Sequence, residues 1–149
     1  MKQLLLIVVA SALLGTGCEL KFGDDIELIA PNVTSNEMAE VTQRTGIQFP
    51  VGATGLGYVF FGSGIDDALA IKVLIPEEKK SDFLKNDLFQ SGEKNKPSVQ
   101  IGSNQSWCNL KELKNRVDRT KRLPKGRYIE CFFGKAEETW VAYISWMST

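Results

Sequence analysis

The chain has no histidine, and this absence removes several kinds of chemistry at once. Without imidazole there is no Ser-His-Asp or Cys-His nucleophile, no histidine ligand for zinc and no histidine pH switch. Catalysis would have to rest on carboxylates, lysine, tyrosine or a Ser-Lys pair. The sequence therefore predicts no catalytic residue, no metal site and no cofactor, and it favours a protein that is not an enzyme.

The chain also lacks an apolar run of the roughly 20 residues that a membrane-spanning helix needs. Its longest run of apolar and small residues covers positions 4–14, after Lys2 and before the small residues GTG at 15–17. A cationic start, an apolar stretch of about 7–15 residues and a small-residue cleavage site form the layout of an export signal. We therefore expect residues 1–17 to be a signal peptide.

Cys18 directly follows the small residues Thr16 and Gly17, and this arrangement resembles the lipobox of bacterial lipoproteins. Position 15, usually leucine in that family, is glycine here. The resemblance implies cleavage before Cys18 and acylation of its sulfur and amino group. At about 0.8 kcal/mol per buried CH₂, several acyl chains make such an attachment permanent. With Glu19 next, the resemblance also implies delivery to the outer membrane of a Gram-negative envelope.

An alternative to lipidation is an ordinary signal peptidase that cuts after residue 12 or 17. The product would then be a soluble periplasmic or secreted protein.

Cysteine is scarce, with three in the chain. Lipidation of Cys18 leaves Cys108 and Cys131 as an even pair in an oxidising compartment, so we predict a disulfide between them. By the chain-entropy model such a bridge contributes about 3 kcal/mol. The alternative is two buried free thiols that behave as small hydrophobes. No CxxC spacing is present, which argues against a redox enzyme.

The exported chain is long enough for one domain with a hydrophobic core. We expect residues 18–33, polar and acidic, to be a lipid-anchored tether, and residues 34–149 to form a single domain. An edge strand at 26–29 is the alternative interpretation of the apolar residues within the tether.

Local signals in the first half of the domain predict a helix and two strands. A capping box at residues 34–37 predicts a helix over 38–44, with Gly46 as its left-handed cap. Residues 55–61 are rich in β-formers, and residues 68–75 alternate between apolar and other side chains.

The second half predicts two more helices and two more strands. Proline at 76 and the acids after it predict a helix to about residue 85. A second capping box and apolar spacing predict a helix over 109–117. Residues 128–133 and 139–147 alternate as strands. The order α-β-β-α-α-β-β predicts an α+β fold, in which two or three helices cover one face of a four-stranded antiparallel sheet.

The charges sum to zero but are segregated along the chain: residues 19–70 carry a net charge of −6, and residues 106–127 a net charge of +6. A basic surface of this kind can bind an acidic protein, an anionic lipid headgroup or a polyanionic glycan. The alternative is a solvated surface, or one that pairs internally with the acidic half. Nucleic acid is not expected as a partner, because the protein is exported and the basic stretch lacks interleaved aromatics. The candidate contact residues are Arg116, Arg119, Lys121, Arg122, Lys125 and Arg127.

A further resemblance spans roughly residues 43–90. The stretch TGIQFP at 45–50, DDAL at 66–69, IP at 75–76 and FL at 83–84 is similar to a pattern in small uncharacterised bacterial secreted and lipoprotein domains. These residues are architectural and imply no activity. The resemblance supports the class of bacterial cell-envelope proteins and implies no more specific function.

These observations together predict a cell-envelope lipoprotein that acts as a non-catalytic interaction module. Its partners would be the membrane, through the lipid, and an unknown protein or an anionic envelope polymer. One alternative is a small carboxylate-dependent envelope hydrolase that uses Asp66, Asp67 or Glu130 in an aromatic cleft. Another is a purely structural anchor.

Overall fold

A computed structural model describes residues 25–63, 65–94 and 101–149. The expected signal peptide and Cys18 lie outside these described residues. Within them, no helix combines the length and the apolar character that crossing a membrane requires.

The described residues form one antiparallel sheet. Its strands are β1 (Ile26–Ile29), β2 (Thr54–Phe61), β3 (Ala68–Ile75), β4 (Lys114–Leu123), β5 (Arg127–Ala136) and β6 (Thr139–Ser148). They lie in the spatial order β1-β2-β3-β6-β5-β4. The predicted fold, a four-stranded sheet covered on one face by two or three helices, is therefore wrong. A further strand lies at each edge, and the helices are few and short.

β4 occupies the region where the sequence predicts a helix. Only the single 3-10 turn Leu110–Glu112 forms at the expected capping box, and the chain then enters the strand. In β4, Val117 pairs with Phe133 and Leu123 pairs with Arg127. Pairing with β5 satisfies the backbone along this strand, and it overrides the helical spacing that includes Val117.

β1 occupies part of the expected tether. It pairs with β2 from Ile26, opposite Phe60, to Ile29, opposite Gly57. Ile26 and Ile29 are 44% and 46% exposed, because β1 is a short strand at the edge of the sheet. The tether expected over 18–33 therefore overlaps the sheet, and the edge-strand interpretation of 26–29 is confirmed.

The first helix follows its local signals closely. α1 (Ser35–Thr45) begins at Thr34, whose hydroxyl accepts a hydrogen bond from Asn36 N at 3.2 Å. The Glu37 carboxylate accepts one from Thr34 N at 2.7 Å, which completes the capping box. Gly46 ends the helix with a φ of 78°, a left-handed conformation that favours glycine. The predicted capping box and cap are confirmed.

The middle of the chain is less regular than predicted. The helix expected over 76–85 divides into a 3-10 turn at Glu77–Lys79 and α2 (Lys80–Phe83). The polar stretch that follows begins with α3 (Asp87–Ser91).

The main core lies on the face of the sheet that the helices contact. Phe133 lies at its centre, with ring centroids of Phe83, Trp140 and Phe89 at 5.0, 5.2 and 6.1 Å. Val41 of α1 is fully buried in the same cluster. Aromatic pairs at these separations add about 0.5–1.5 kcal/mol beyond their buried area.

The opposite face of the sheet is covered by residues 101–113, which we call the covering segment. Its Trp107 and Leu110 pack with Val141 and Tyr143 of β6. A Cβ atom at Gly57 of β2 would lie 2.3 Å from Cδ2 of Trp107. Only glycine at this position leaves room for the indole ring.

Both cysteines of the predicted disulfide are free. Cys131 is fully buried in the core on the helix side of the sheet, whereas Cys108 packs in the cluster under the covering segment. The sheet separates the two thiols, so the predicted bridge is absent from this structure. Burial raises the pKa of both thiols, which leaves them as small apolar groups.

Candidate binding site at the basic edge

The six cations predicted as contact residues lie together at one edge of the sheet. Lys125 lies in the turn after β4, and Arg127 is the first residue of β5. β4 is the last strand in the spatial order, so these side chains line an edge rather than a helix. Four of the six lie within β4, namely Arg116, Arg119, Lys121 and Arg122.

The cations project to both sides of this edge. Arg119 is paired with Cys131, whose side chain lies in the core on the helix side. Arg122 is paired with Tyr128 and lies three residues after Arg119. Because side chains alternate between the two faces of a strand, Arg122 projects to the opposite side. The basic edge, defined by the six cations, is a ridge that presents charge in two directions.

The backbone of the basic edge is covered at Thr120 and interrupted by a bulge near the start of β4. Glu93 N donates to Thr120 O at 2.7 Å, and Thr120 N donates to Glu93 O at 2.9 Å. Upstream, Asn115 has a φ of 51° within a bulge between Lys114 and Val117. Bulges, charged side chains and local cover protect edge strands from pairing with other chains. A partner would therefore contact side chains rather than backbone.

Two of the cations are paired with carboxylates. Arg116 Nε lies 2.8 Å from Asp118 Oδ1. Lys121 forms an ion pair with Asp87 and donates to Ser91 Oγ at 2.9 Å. Hydrogen bonds from Lys121 and Ser91 lower the pKa of Asp87, so that carboxyl stays ionised beside its lysine.

The other four cations keep their charge available. Arg119 and Arg127 donate to backbone carbonyl oxygens at 2.8 and 2.9 Å, and these contacts leave the positive charge uncompensated. Arg122 and Lys125 are exposed. Among the described residues, no ion pair joins any of the four to a carboxylate. Within the part of the chain that the structure describes, the basic edge therefore carries positive charge without a carboxylate partner at four of its six cations.

A second polar cluster lies under the covering segment. Lys72 Nζ lies 2.8 Å from Oε1 of Glu112 and 5.0 Å from the ring centre of Tyr143. Tyr143 donates its hydroxyl to the same Glu112 oxygen. The sequence carries one local signal for this cluster, Lys72, which is the only charged residue of β3. These contacts hold the covering segment on the sheet.

The cavity beside this cluster is too small for a substrate. It measures about 20 Å³ and is lined by Trp107, Cys108, Glu130 and Tyr143, among others. A volume of this size holds about one water molecule. Burial raises the pKa of the Cys108 thiol, so it is a weak nucleophile there.

The carboxylates proposed for a hydrolase are not brought together. Glu130 is 3% exposed in the middle of β5, whereas Asp66 is exposed in the connection between β2 and β3. Asp67 lies 3.8 Å from Arg44, at the same end of the sheet as Asp66. Paired carboxylates on either side of a substrate, as glycoside hydrolysis requires, do not form from these residues.

Arg44 fixes α1 to the sheet. The charge pattern of the sequence did not reveal this role. Its guanidinium lies 5.1 Å from the ring centre of Phe60 and 4.7 Å from that of Trp146. It also pairs with Glu40 at 2.9 Å, and Glu40 accepts a hydrogen bond from the Tyr58 hydroxyl at 2.8 Å. We interpret this network as structural, because its charges are compensated internally.

Within the described ranges, no group of three or more histidine, cysteine, aspartate or glutamate residues could hold a metal ion. Comparison of the chain with protein-family models, with curated proteins and with solved structures finds no match.

Proposed function

We propose that this chain is a bacterial envelope lipoprotein, anchored through Cys18 at the outer membrane, that binds an anionic envelope polymer without catalysing a reaction. The observation that carries the proposal is the basic edge, where four cations have no carboxylate partner among the described residues. Uncompensated charge of one sign raises the local concentration of ligands of the opposite sign.

The shape of the basic edge supports a linear polyanion as partner. Within β4 the cations of the basic edge run from Arg116 to Arg122, so they extend over about 20 Å at the rise of an extended strand. Protein interfaces have an apolar centre. The large apolar side chains that are exposed in the described residues lie elsewhere: Ile26, Ile29, Val51 and Ile65. We therefore favour a polymer over an acidic protein.

The position of the expected anchor supports the same interpretation. Cys18 precedes β1 by eight residues, which reach about 27 Å when fully extended. β1 and β4 form opposite edges of the six-stranded sheet, about 24 Å apart at the usual strand spacing. The tether thus enters the domain at the edge opposite the basic edge, and attachment there leaves β4 uncovered by β1.

The hydrolase alternative receives no support from the described residues. The cavity beside Glu130 holds about one water molecule. Asp66 and Asp67 lie in a different part of the molecule, at the connection between β2 and β3.

The anchor is tested by mass spectrometry of the mature amino terminus, after expression of the full chain in a Gram-negative host. We expect an acylated Cys18 as the first residue, and we expect a Cys18→Ser variant to leave the membrane fraction. A free thiol at Cys18, cleavage after residue 12 or an uncut Met1 would contradict the anchor.

The basic edge is tested by crosslinking of the full chain in its native membrane, followed by purification. We expect an Arg119→Glu/Lys125→Glu variant to lose about tenfold or more of the crosslinked polymer, since reversal replaces attraction by repulsion. A Lys79→Glu/Lys85→Glu variant carries the same change of charge outside the basic edge and serves as control.

The form of the crosslinked material decides between the two kinds of partner. Material that resists protease and stains for carbohydrate supports a polymer, whereas protease-sensitive material would replace the polymer by an acidic protein. Equal recovery from the basic-edge variant and the control would refute the proposal that this edge is the contact surface.

A further inference from the structure

One end of the sheet receives the chain that comes from Cys18, and we call it the anchor end. β1 begins there at Ile26, which is paired with Phe60 near the end of β2. Phe61 is paired with Ala68, the first residue of β3, so the β2–β3 connection lies at this end too. The strands of the sheet are all antiparallel to their neighbours, which places the β4–β5 turn at the same end.

The β2–β3 connection presents an apolar side chain at the anchor end. Ile65 is 82% exposed. Ser63 Oγ donates to Asp66 O at 2.7 Å and accepts a hydrogen bond from Asp66 N at 2.6 Å. Ile65 N donates to the same hydroxyl at 3.3 Å. The hydrogen bonds of one serine therefore hold the turn that exposes Ile65.

The other end of the sheet exposes a comparable apolar side chain. Val51 is 88% exposed, in a turn closed by a hydrogen bond from Ala53 N to Pro50 O at 3.1 Å. This turn directly precedes β2, whereas Ile65 follows that strand. The seven steps along β2 separate the two ends of the sheet by about 23 Å. Exposure alone does not distinguish the two side chains, so the tether has to do so.

The length of the tether favours the anchor end as the one nearer to the lipid. Eight residues join Cys18 to Ile26, and they reach about 27 Å only when fully extended. β2 and β3 are the first and second neighbours of β1, so Ile65 lies about one or two strand spacings of 5 Å from the tether. Val51 could reach the same bilayer only if an extended tether ran back along the whole sheet.

The charges of the anchor end include both signs. Its exposed cations, Arg122 and Lys125, lie on the β4 side. Its exposed carboxylates, Asp25 and Asp66, lie nearer to β1. Cations attract the headgroups of anionic lipids, and carboxylates are repelled by them. The apolar side chain and the short tether, rather than net charge, therefore identify this end as a contact with lipid.

We infer that the anchor end lies against the bilayer that holds Cys18, with Ile65 inserted at the boundary between headgroups and acyl chains. This inference rests on the proposed anchor and adds an orientation to it. Acyl chains already retain the protein, so the contact sets the direction of the domain rather than its attachment. The strands then run away from the membrane, and the basic edge extends outward along β4.

The test is depth-dependent quenching of a fluorophore on the full acylated chain, reconstituted in vesicles of phosphatidylethanolamine and phosphatidylglycerol. An environment-sensitive dye is attached to Ile65→Cys or, as matched control, to Val51→Cys. Both carry Cys108→Ser, and Cys131 is fully buried. We expect nitroxide groups on the lipid headgroups to quench the dye at position 65 at least twofold more than the dye at position 51. Equal quenching at the two positions, or stronger quenching at 51, would overturn the inference.

A second substitution tests whether the dye reports the turn or only its own affinity for lipid. Asp66→Asn removes a carboxylate beside Ile65, so it should increase the quenching at position 65 in these anionic vesicles. Glu77→Gln removes a carboxylate just after β3, at the other end of the sheet, and should leave the quenching unchanged. Quenching that is unchanged or lower in the Asp66→Asn chain would also reject the contact.

Failure of this inference is distinguishable from failure of the proposed function. Mass spectrometry of the same preparation reads the acylation of Cys18. If Cys18 is acylated but the dye at position 65 is not quenched, the orientation is wrong and the anchor stands. If Cys18 is not acylated, the chain does not float with the vesicles, and the anchor and the orientation fail together.

Discussion

Replacement of Gly57 by alanine tests how the covering segment is held on the sheet. The added Cβ would lie 2.3 Å from Cδ2 and 2.4 Å from Cγ of Trp107. Side-chain atoms do not approach this closely, so the indole and the chain that carries it have to shift. We expect Gly57→Ala to destabilise the protein through this one contact.

The magnitude follows from two opposing effects at Gly57. Overpacking of a filled site costs about 1–3 kcal/mol. In the middle of a strand, alanine is otherwise favoured over glycine by about 0.5–1 kcal/mol, because it loses less conformational entropy on folding. The overpacking effect equals or exceeds the entropic one, so the net loss of unfolding free energy should lie between about 0 and 2.5 kcal/mol.

A double-mutant cycle with Trp107→Ala isolates the contact. Without the indole, the Gly57 substitution should become neutral or slightly stabilising, with a coupling energy of about 1–3 kcal/mol between the two sites. Urea unfolding followed by far-UV circular dichroism measures all four variants. Leu110→Ala is the matched control: it also lies in the covering segment, but it is absent from the nearest neighbours of Gly57.

Additive effects of the two substitutions would refute this reasoning. The reasoning would also be refuted if Gly57→Ala no longer lowered the unfolding free energy in the Leu110→Ala background. That result would assign the effect to a general loosening of the covering segment.

Three further predictions concern the core, the half-buried ion pair of Lys72 and Glu112, and the cysteines. Phe133→Ala removes the fully buried centre of the aromatic cluster and should lower the unfolding free energy by about 3–5 kcal/mol, measured by urea unfolding; a loss below about 1 kcal/mol would mean that the cluster does not carry the core. Burial raises the pKa of Glu112, but hydrogen bonds from Lys72 and from a tyrosine outweigh burial and leave the pKa below its ordinary 4.5. The ionised carboxylate therefore stabilises the fold above pH 4.5, and this contribution is lost as the pH falls through the lowered pKa. Unfolding of a Glu112→Gln variant should therefore depend less on pH below 4.5 than unfolding of the wild type, and parallel pH profiles would contradict this. Alkylation in denaturant without a reductant should label both Cys108 and Cys131, read by peptide mass mapping, whereas unlabelled peptides that react only after reduction would show a disulfide.

The elements that the sequence predicted well carry their signals locally. The cap of α1 depends on Thr34, Glu37 and Gly46, which interact within one helix end. The strand at Ala68–Ile75 alternates because one of its faces lies in the core. Signals of this kind need no knowledge of the rest of the chain.

The elements that the sequence did not predict depend on distant partners. The residues of β4 are mostly Lys, Arg, Asn and Asp, which show weak strand preference, and only pairing with β5 makes them a strand. The same dependence explains the cysteines: their even number says nothing about which side of the sheet each thiol occupies.

The candidate site was predictable in part. Charge segregation identified the six cations without any knowledge of the fold. It did not reveal that Arg116 and Lys121 are compensated, or that Arg122 and Arg127 lie on opposite faces of the sheet. Those distinctions arise from the hairpin geometry and from α3, which brings Asp87 to the edge strand.

The position of Trp107 over Gly57, on the other side of the sheet from Trp140 and Trp146, has a consequence for tryptophan fluorescence. Trp140 and Trp146 are 9% and 4% exposed, and each has a cation near its ring: Lys80 Nζ at 4.2 Å from the Trp140 centroid and the Arg44 guanidinium at 4.7 Å from that of Trp146. Trp107 is only half-buried, on the other side of the sheet. The chain therefore contains two shielded indoles and one that a soluble quencher can reach. Tryptophan fluorescence can therefore report detachment of the covering segment from the sheet separately from unfolding of the main core.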